Sequence, residues 1–219
     1  MNQVQHGVIG NWTQLGDFLP KIKDFSEVGY HGHLSPLAGF EAVNSTAIFK
    51  GYRNGILQLR GDHIFLPVLS ATYSYKFNIN FEVAFPVAAS SDCSVMAIAI
   101  GDGLELRLQH KGSKVRTFKF SLLDGENVLQ KQEIRIDEIL VNDHLISVNI
   151  EGNTNNSIIL TMVPKAENTF HQTIAIYTKF KRRQELKGIW LGIERQSIMS
   201  LESYTAGCFY DVKSLTLSR

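Results

Sequence analysis

With 219 residues, 44% of them hydrophobic and 20% charged, the chain has the make-up of a folded globular protein, and wholesale disorder, collagen-like repeats and heptad fibres are excluded. Its 22 Lys plus Arg balance 21 Asp plus Glu, which supplies no field for gathering phosphates or coating an anionic membrane, so nucleic acid is not an expected partner. No stretch approaches the roughly 18 apolar residues of a membrane-spanning helix, so no membrane span is expected.

The first residues, "MNQVQHGVIGNWTQLGDF", lack the basic start and apolar block of a secretory leader. The expected location is either the cytoplasm or the outside by a leaderless route, or else a leader has been removed. Residues 1–45 are irregular and dotted with glycine. They hold too few apolar residues to stand alone, so an opening strand and long loops are expected on the core of a single domain spanning 1–219. Within them Tyr30-His31-Gly32-His33 sets two imidazoles two residues apart. That spacing can serve zinc when another ligand arrives from elsewhere, although a loop with surface histidines is the ordinary reading.

From about residue 46 onward the pattern has period two. Tyr52-Arg53-Asn54 is a polar turn ahead of "ILQLRG". In "YSYKFNINFEVAF", Tyr73, Tyr75, Phe77, Ile79, Phe81, Val83 and Phe85 share one face of a long half-buried strand, because a pleat points every second side chain the same way. The alternation returns in "SVMAIAI", "LELRLQH", "RTFKFSLL", "EIRID", "HLISVNIEG", "SIILTMV", "TIAIYTKF", "IWLGIE" and "CFYDVKSLTLS". Between these runs lie turn signals such as Asp124-Gly125-Glu126-Asn127 and Gly152-Asn153-Thr154-Asn155-Asn156. About eleven or twelve strands joined by short turns predict an all-β, antiparallel two-sheet sandwich or barrel. Cys93 and Cys208 form no metal-binding spacing and read as buried free thiols, with one long-range disulfide as the alternative.

Three stretches carry a resemblance to the concanavalin A-like lectin and glucanase superfamily, which includes laminin G-like domains. "NGILQLRG" followed by the long aromatic strand is similar to that fold's early strands. "VNDHLISVNIEGNTNNSIILTMV" resembles its paired strands around a front loop, and "GIWLGIE" with "AGCFYDVKSLTLS" its closing strands. The resemblance implies a jelly roll of two antiparallel sheets whose concave side or rim binds sugars in many relatives. It also implies Ca2+ at a sandwich edge, with Asp211 as the expected ligand and Asp92, Asp102, Asp124 and Asp143 as loop alternatives. Some relatives are glycosidases or polysaccharide lyases and others bind only proteins, so fold does not choose among them.

Catalysis finds little in the residues. In "QEIRIDE" Glu133 and Asp137 are roughly 13 Å apart along a strand at about 3.3 Å per residue, with Arg135 between them where the glucanase pattern carries an aspartate. That segment reads as a charge-paired strand face. Glu105, Arg107 and Gln109, followed by His110, are the nearest approach to a lyase set. Sugar binding needs an aromatic face beside amides, carboxylates and Arg. The expected ligand-binding residues are Tyr30, His31, His33, Tyr52, Arg53, Asn153 and Asn155; Trp12, Tyr204 and Asn156 are further candidates, and Trp190 reads as core. The expected function is a non-catalytic, lectin-like carbohydrate-binding domain with a glycan as partner. The alternative is a protein-interaction or structural subunit of a larger assembly, oligomeric through an edge strand or through the aromatic face of residues 73–85. A lyase or hydrolase stands third.

Overall fold

A computed structural model describes residues 8–13, 21–22, 24–26, 32–35, 57–60, 63–68, 77–85, 89–100, 103–112, 115–137, 146–152, 157–164, 172–177, 186–192 and 209–218. These form fifteen strands: β1 (Val8–Thr13), β2 (Lys21–Ile22), β3 (Gly32–Ser35), β4 (Leu57–Arg60), β5 (His63–Pro67), β6 (Phe77–Ala84), β7 (Ala89–Ile100), β8 (Leu104–Gly112), β9 (Val115–Asp124), β10 (Asn127–Asp137), β11 (Ile146–Gly152), β12 (Ser157–Pro164), β13 (Gln172–Tyr177), β14 (Leu186–Leu191) and β15 (Phe209–Ser218). The excess over the expected eleven or twelve comes from the N-terminal region, which supplies β1 to β3, and from the division of the segment after residue 56 into β4 and β5. No helix among the described residues is long and apolar enough to cross a membrane.

All pairings are antiparallel, and they make two sheets. The first runs β1-β15-β6-β11-β12-β13, with β4 also on β15; the second runs β10-β9-β8-β7-β14-β5-β3-β2. The opening segment therefore serves both, β1 closing the first sheet against β15 and β2 and β3 ending the second. Alternation decides which side chains go inside. Phe77, Ile79, Phe81, Val83 and Phe85 are buried while Asn80 is exposed, as the period-two pattern of that segment requires. They join Ile98, Leu106, Phe120, Ile134, Val148, Leu160, Ile189 and Leu215 in one cluster drawn from both sheets. The described part of the 73–85 aromatic face is thus spent on the core and is not open to a partner. On the solvent side of the first sheet, Asn149 Nδ2 donates to Asn78 Oδ1 at 2.8 Å and Asn80 Oδ1 at 2.7 Å, and the hydroxyls of Thr161 and Thr173 lie 3.1 Å apart.

Two local devices fix the frame. The β9–β10 hairpin turns through Gly125 at φ 59°, where a side chain would be strained. At the far edge the Gln130 amide takes the place of a strand: its Nε2 donates to the Tyr177 carbonyl, and its Oε1 accepts from Tyr177 N at 3.0 Å. One side chain thereby ties β10, the end of the second sheet, to β13, the end of the first.

The core also holds a polar cluster, from Cys93 on β7, His110 on β8 and Arg116 on β9. Cys93 is disulfide-bonded, which overturns the free-thiol reading; Cys208, the other cysteine in the chain, lies outside the described residues. Arg116 Nη1 lies 3.2 Å from His110 Nε2, and His110 Nδ1 lies 3.8 Å from Cys93 Sγ. A guanidinium only donates, so Nε2 must be the acceptor and Nδ1 carries the proton. Both side chains are about 1% exposed. The His110 ring packs against both Phe85 and Phe118, at centroid distances of 4.6 and 5.1 Å, and those two rings touch each other at 5.2 Å. Burial first, and the Arg116 charge second, lower the His110 pKa to about 3, so the imidazole is neutral in the folded protein.

Candidate functional site

The second sheet has one face on the core and one turned away from it, and strand parity assigns each residue. On β14, Ile189 and Leu191 are fully buried in the core. Gly188 and Trp190 therefore face the other way, and Trp190 is half-buried. This corrects the reading of Trp190 as core. On β8 the core takes Leu106, Leu108 and His110, leaving Glu105, Arg107 and Gln109 together on the opposite face. The predicted alternation of those three holds, but His110 lies behind the sheet and cannot share a substrate with Arg107.

Cross-strand register then builds a row on that outer face. His33 on β3 pairs with Phe65 on β5, Phe65 with Trp190 on β14, Trp190 with Ala97 on β7, Ala97 with Arg107 on β8, and Arg107 with Ser121 on β9. The rings of Phe65 and Trp190 stack at 4.9 Å between centroids with 30° between planes. Gly188 permits this, since a Cβ there would lie 2.6 Å from Phe65 Cε2 and 3.1 Å from Trp190 Cη2. Two strand spacings of about 4.8 Å separate Trp190 from Arg107 along the row, and the intervening β7 shows only Ala97 and Ala99 between them. Arg107 Nε donates to Glu105 Oε1 at 2.8 Å, with both side chains largely buried. Next along the same face lie the half-buried Gln109 and, opposite it on β9, Lys119.

An ion pair withdrawn from water on a face other than the core gives little net stability, because desolvation cancels much of the Coulomb gain. Here it holds the guanidinium and carboxylate rigidly beside a stacked aromatic pair. The half-buried Phe65 and Trp190 rings and the half-buried Gln109 and Lys119 are the accessible parts of this face, while Ala97 and Ala99 between them are fully buried and Glu105 and Arg107 nearly so; apolar rings beside polar groups are what an amphipathic ligand requires.

Of the predicted site residues, only His33 enters this row, by its position in β3; its side chain is not described. Asp211 pairs in β15 with Gln58 and Ala84, also with its side chain undescribed. Tyr30, His31, Tyr52, Arg53, Asn153 and Asn155 lie outside the described residues, as do Tyr204 and Asn156. Trp12, a further candidate, is fully buried in β1. Among the described residues no three His, Cys, Asp or Glu side chains converge as a metal site. In β10, Ile134 and Ile136 are buried and Glu133 and Arg135 exposed, as the alternation predicts. Glu133, however, bonds Lys131 at 3.0 Å.

No protein-family model and no curated protein matches the sequence. Among solved structures, the binding domain of botulinum neurotoxin DC in complex with SialylT matches with a TM-score of 0.56 and 10% identity, over 97% of this chain and 47% of that one. The CBM2 module of the evolved Dit of Lactobacillus casei BL23 phage J-1 matches with a TM-score of 0.59 and 9% identity, over 96% and 94%. The LG1-3 region of the laminin alpha2 chain matches with a TM-score of 0.51 and 12% identity, over 75% and 31%. The chain spans about half the length of the toxin chains it matches, whereas the phage module is nearly coextensive with it. At these identities the likeness is one of fold, and the fold is the concanavalin A-like, laminin G-like sandwich that the strand pattern implies.

Proposed function

We propose that the chain is a glycan-binding domain, and that its ligand stacks on Phe65 and Trp190 and bonds the polar groups around Arg107. The observation that carries this reading is the stacked, half-buried aromatic pair set in strand register with a buried Arg107–Glu105 pair on the face turned away from the core. Pyranose rings present an apolar face and a rim of hydroxyls. Stacking satisfies the first, while the half-buried Gln109 amide and Lys119 ammonium, beside the fixed Arg107–Glu105 pair, suit the second. That a neurotoxin domain of this fold was solved in complex with SialylT lends support by analogy. The predicted loop residues Tyr30, His31, Tyr52, Arg53, Asn153 and Asn155 remain part of the proposal as contributors to the rim, with Asp211 as a proposed Ca2+ ligand. The Cys93 disulfide favours an oxidising compartment over the cytoplasm.

A glycan array tests the reading. Trp190→Ala is expected to weaken the best ligand roughly tenfold or more, the scale of one lost aromatic stack with its buried area, while the unfolding midpoint changes little. Intrinsic fluorescence offers a second readout. The chain has two tryptophans and Trp12 is fully buried, so ligand should perturb only the emission that Trp190→Phe abolishes. A folded protein that binds no glycan on the array sinks the proposal.

A further inference from the structure

The outer strand of the second sheet carries a pattern that the glycan reading does not use. Among the described residues β10 pairs on one side only, with β9. Its backbone is held firmly, since Ile134 and Ile136 are buried and Gln130 is tied to Tyr177. Beyond that tie, Lys131, Gln132, Glu133 and Arg135 are exposed. An edge strand offers every second N–H and C=O outward, and soluble proteins commonly block such edges with charge.

The charges here alternate in sign at every second residue: Lys131, Glu133, Arg135 and Asp137. A strand of one sign repels its own copy, whereas this sequence is self-complementary. In an antiparallel pair centred on Ile134, Glu133 stands opposite Arg135 of the second copy and Lys131 opposite Asp137, so all four positions meet opposite charge. Centring the pair on Glu133 would instead face Glu133 with itself and Lys131 with Arg135. Centring on Arg135 would face Arg135 with itself and Glu133 with Asp137. Moving the centre to Gln132 or Ile136 matches only the pair flanking it. One register is thus favoured and its neighbours along the same face are penalised, which is how charge specifies a partner. On the core side of the same register Ile134 meets Ile134 of the second copy, continuing the apolar layer across the junction.

We infer that β10 is a homodimerisation edge, joining the second sheets of two copies antiparallel about a two-fold axis at Ile134. Backbone hydrogen bonds supply the association and the Glu133–Arg135 pairs set its register. The inference does not rest on the aromatic part of the glycan-binding reading, whose stacked rings lie four and five strands away on β14 and β5, although Lys119 of its polar surround pairs with Glu133 across β9 and β10.

Sedimentation velocity of the full chain over a wide concentration range provides the test. The wild type is expected to dimerise. Arg135→Glu and Glu133→Arg alone each turn two symmetric attractions into repulsions, and each is expected to weaken self-association roughly tenfold or more. Both side chains are exposed, so circular dichroism should show an unchanged fold. An equimolar mixture of the two variants restores every opposite pair and should form a heterodimer, and the double exchange Glu133→Arg with Arg135→Glu should recover the homodimer. A wild type that stays monomeric throughout, single variants that associate as the wild type does, or a mixture that remains monomeric would each overturn the inference.

Discussion

Lowering the pH from 6.5 toward 3 is expected to remove on the order of 4–5 kcal/mol of stability through His110 alone. The imidazole's folded pKa is depressed, to about 3 from 6.5. Between those values the unfolded chain binds a proton that the folded chain refuses, and every pH unit in the window favours unfolding by about 1.4 kcal/mol. Above pH 6.5 neither state is protonated and the contribution is constant. The groups around the ring disfavour its charged form: the Arg116 guanidinium donates into Nε2, Cys93 offers only a bonded sulfur, and Phe85 and Phe118 pack against it as apolar neighbours. Urea unfolding at a series of pH values reads the slope. His110→Gln keeps an acceptor for Arg116 but does not titrate, so its stability should fall less steeply below pH 6.5, by about one proton. Equal slopes in the two proteins would show that His110 is not the group that titrates.

What the sequence made legible follows from which residues alternate cleanly. The β6 run from Phe77 to Phe85 and the β10 run through Ile134 and Ile136 declare their faces, because one face meets the core and the other meets water. Glu105, Arg107 and Gln109 fall together by the same alternation. Trp190 was hidden by the reverse circumstance. Gly188, Ile189, Trp190 and Leu191 read as one apolar run, and only the position of Trp190 in the same parity as glycine marks it as facing outward. Composition cannot separate a core tryptophan from one stacked on the outer face of the same sheet. Pairing was equally invisible: nothing in Phe65 or His33 announces that β5 and β3 lie beside β14, since that order is a long-range property of the sheet. Trp12 erred in the other direction. Its irregular, glycine-rich surroundings suggested a loop, whereas β1 is a paired strand that carries the tryptophan inward against Leu215 of β15.

Trp12→Ala is expected to cost about 3–5 kcal/mol, the range for truncating a fully buried large aromatic. Three features at this end of the sandwich concentrate the loss. The indole covers Gly10, where a Cβ would lie 2.3 Å from Trp12 Cη2, so the ring occupies space that any other residue at position 10 would contest. Beside it, the buried Asp24 carboxylate accepts from Asn11 N, Ser26 N and Ser26 Oγ, each at 2.8 Å, and Phe25 N donates to the Asn11 carbonyl at 2.7 Å. Removing the indole therefore loosens both the β1–β15 pairing and the clip from residues 24–26 that holds β1 from its free side. Gly10→Ala should destabilise as well, through overpacking, by about 1–3 kcal/mol. The contrast with Trp190 makes the result diagnostic. Trp12→Ala should lower the urea midpoint sharply while the folded fraction retains its ligand affinity, and Trp190→Ala should lose affinity at nearly constant midpoint. If Trp12→Ala left the midpoint unchanged, or Trp190→Ala collapsed it, the burial that separates the two tryptophans would be wrong, and Trp190 would not be the ring on which a ligand stacks.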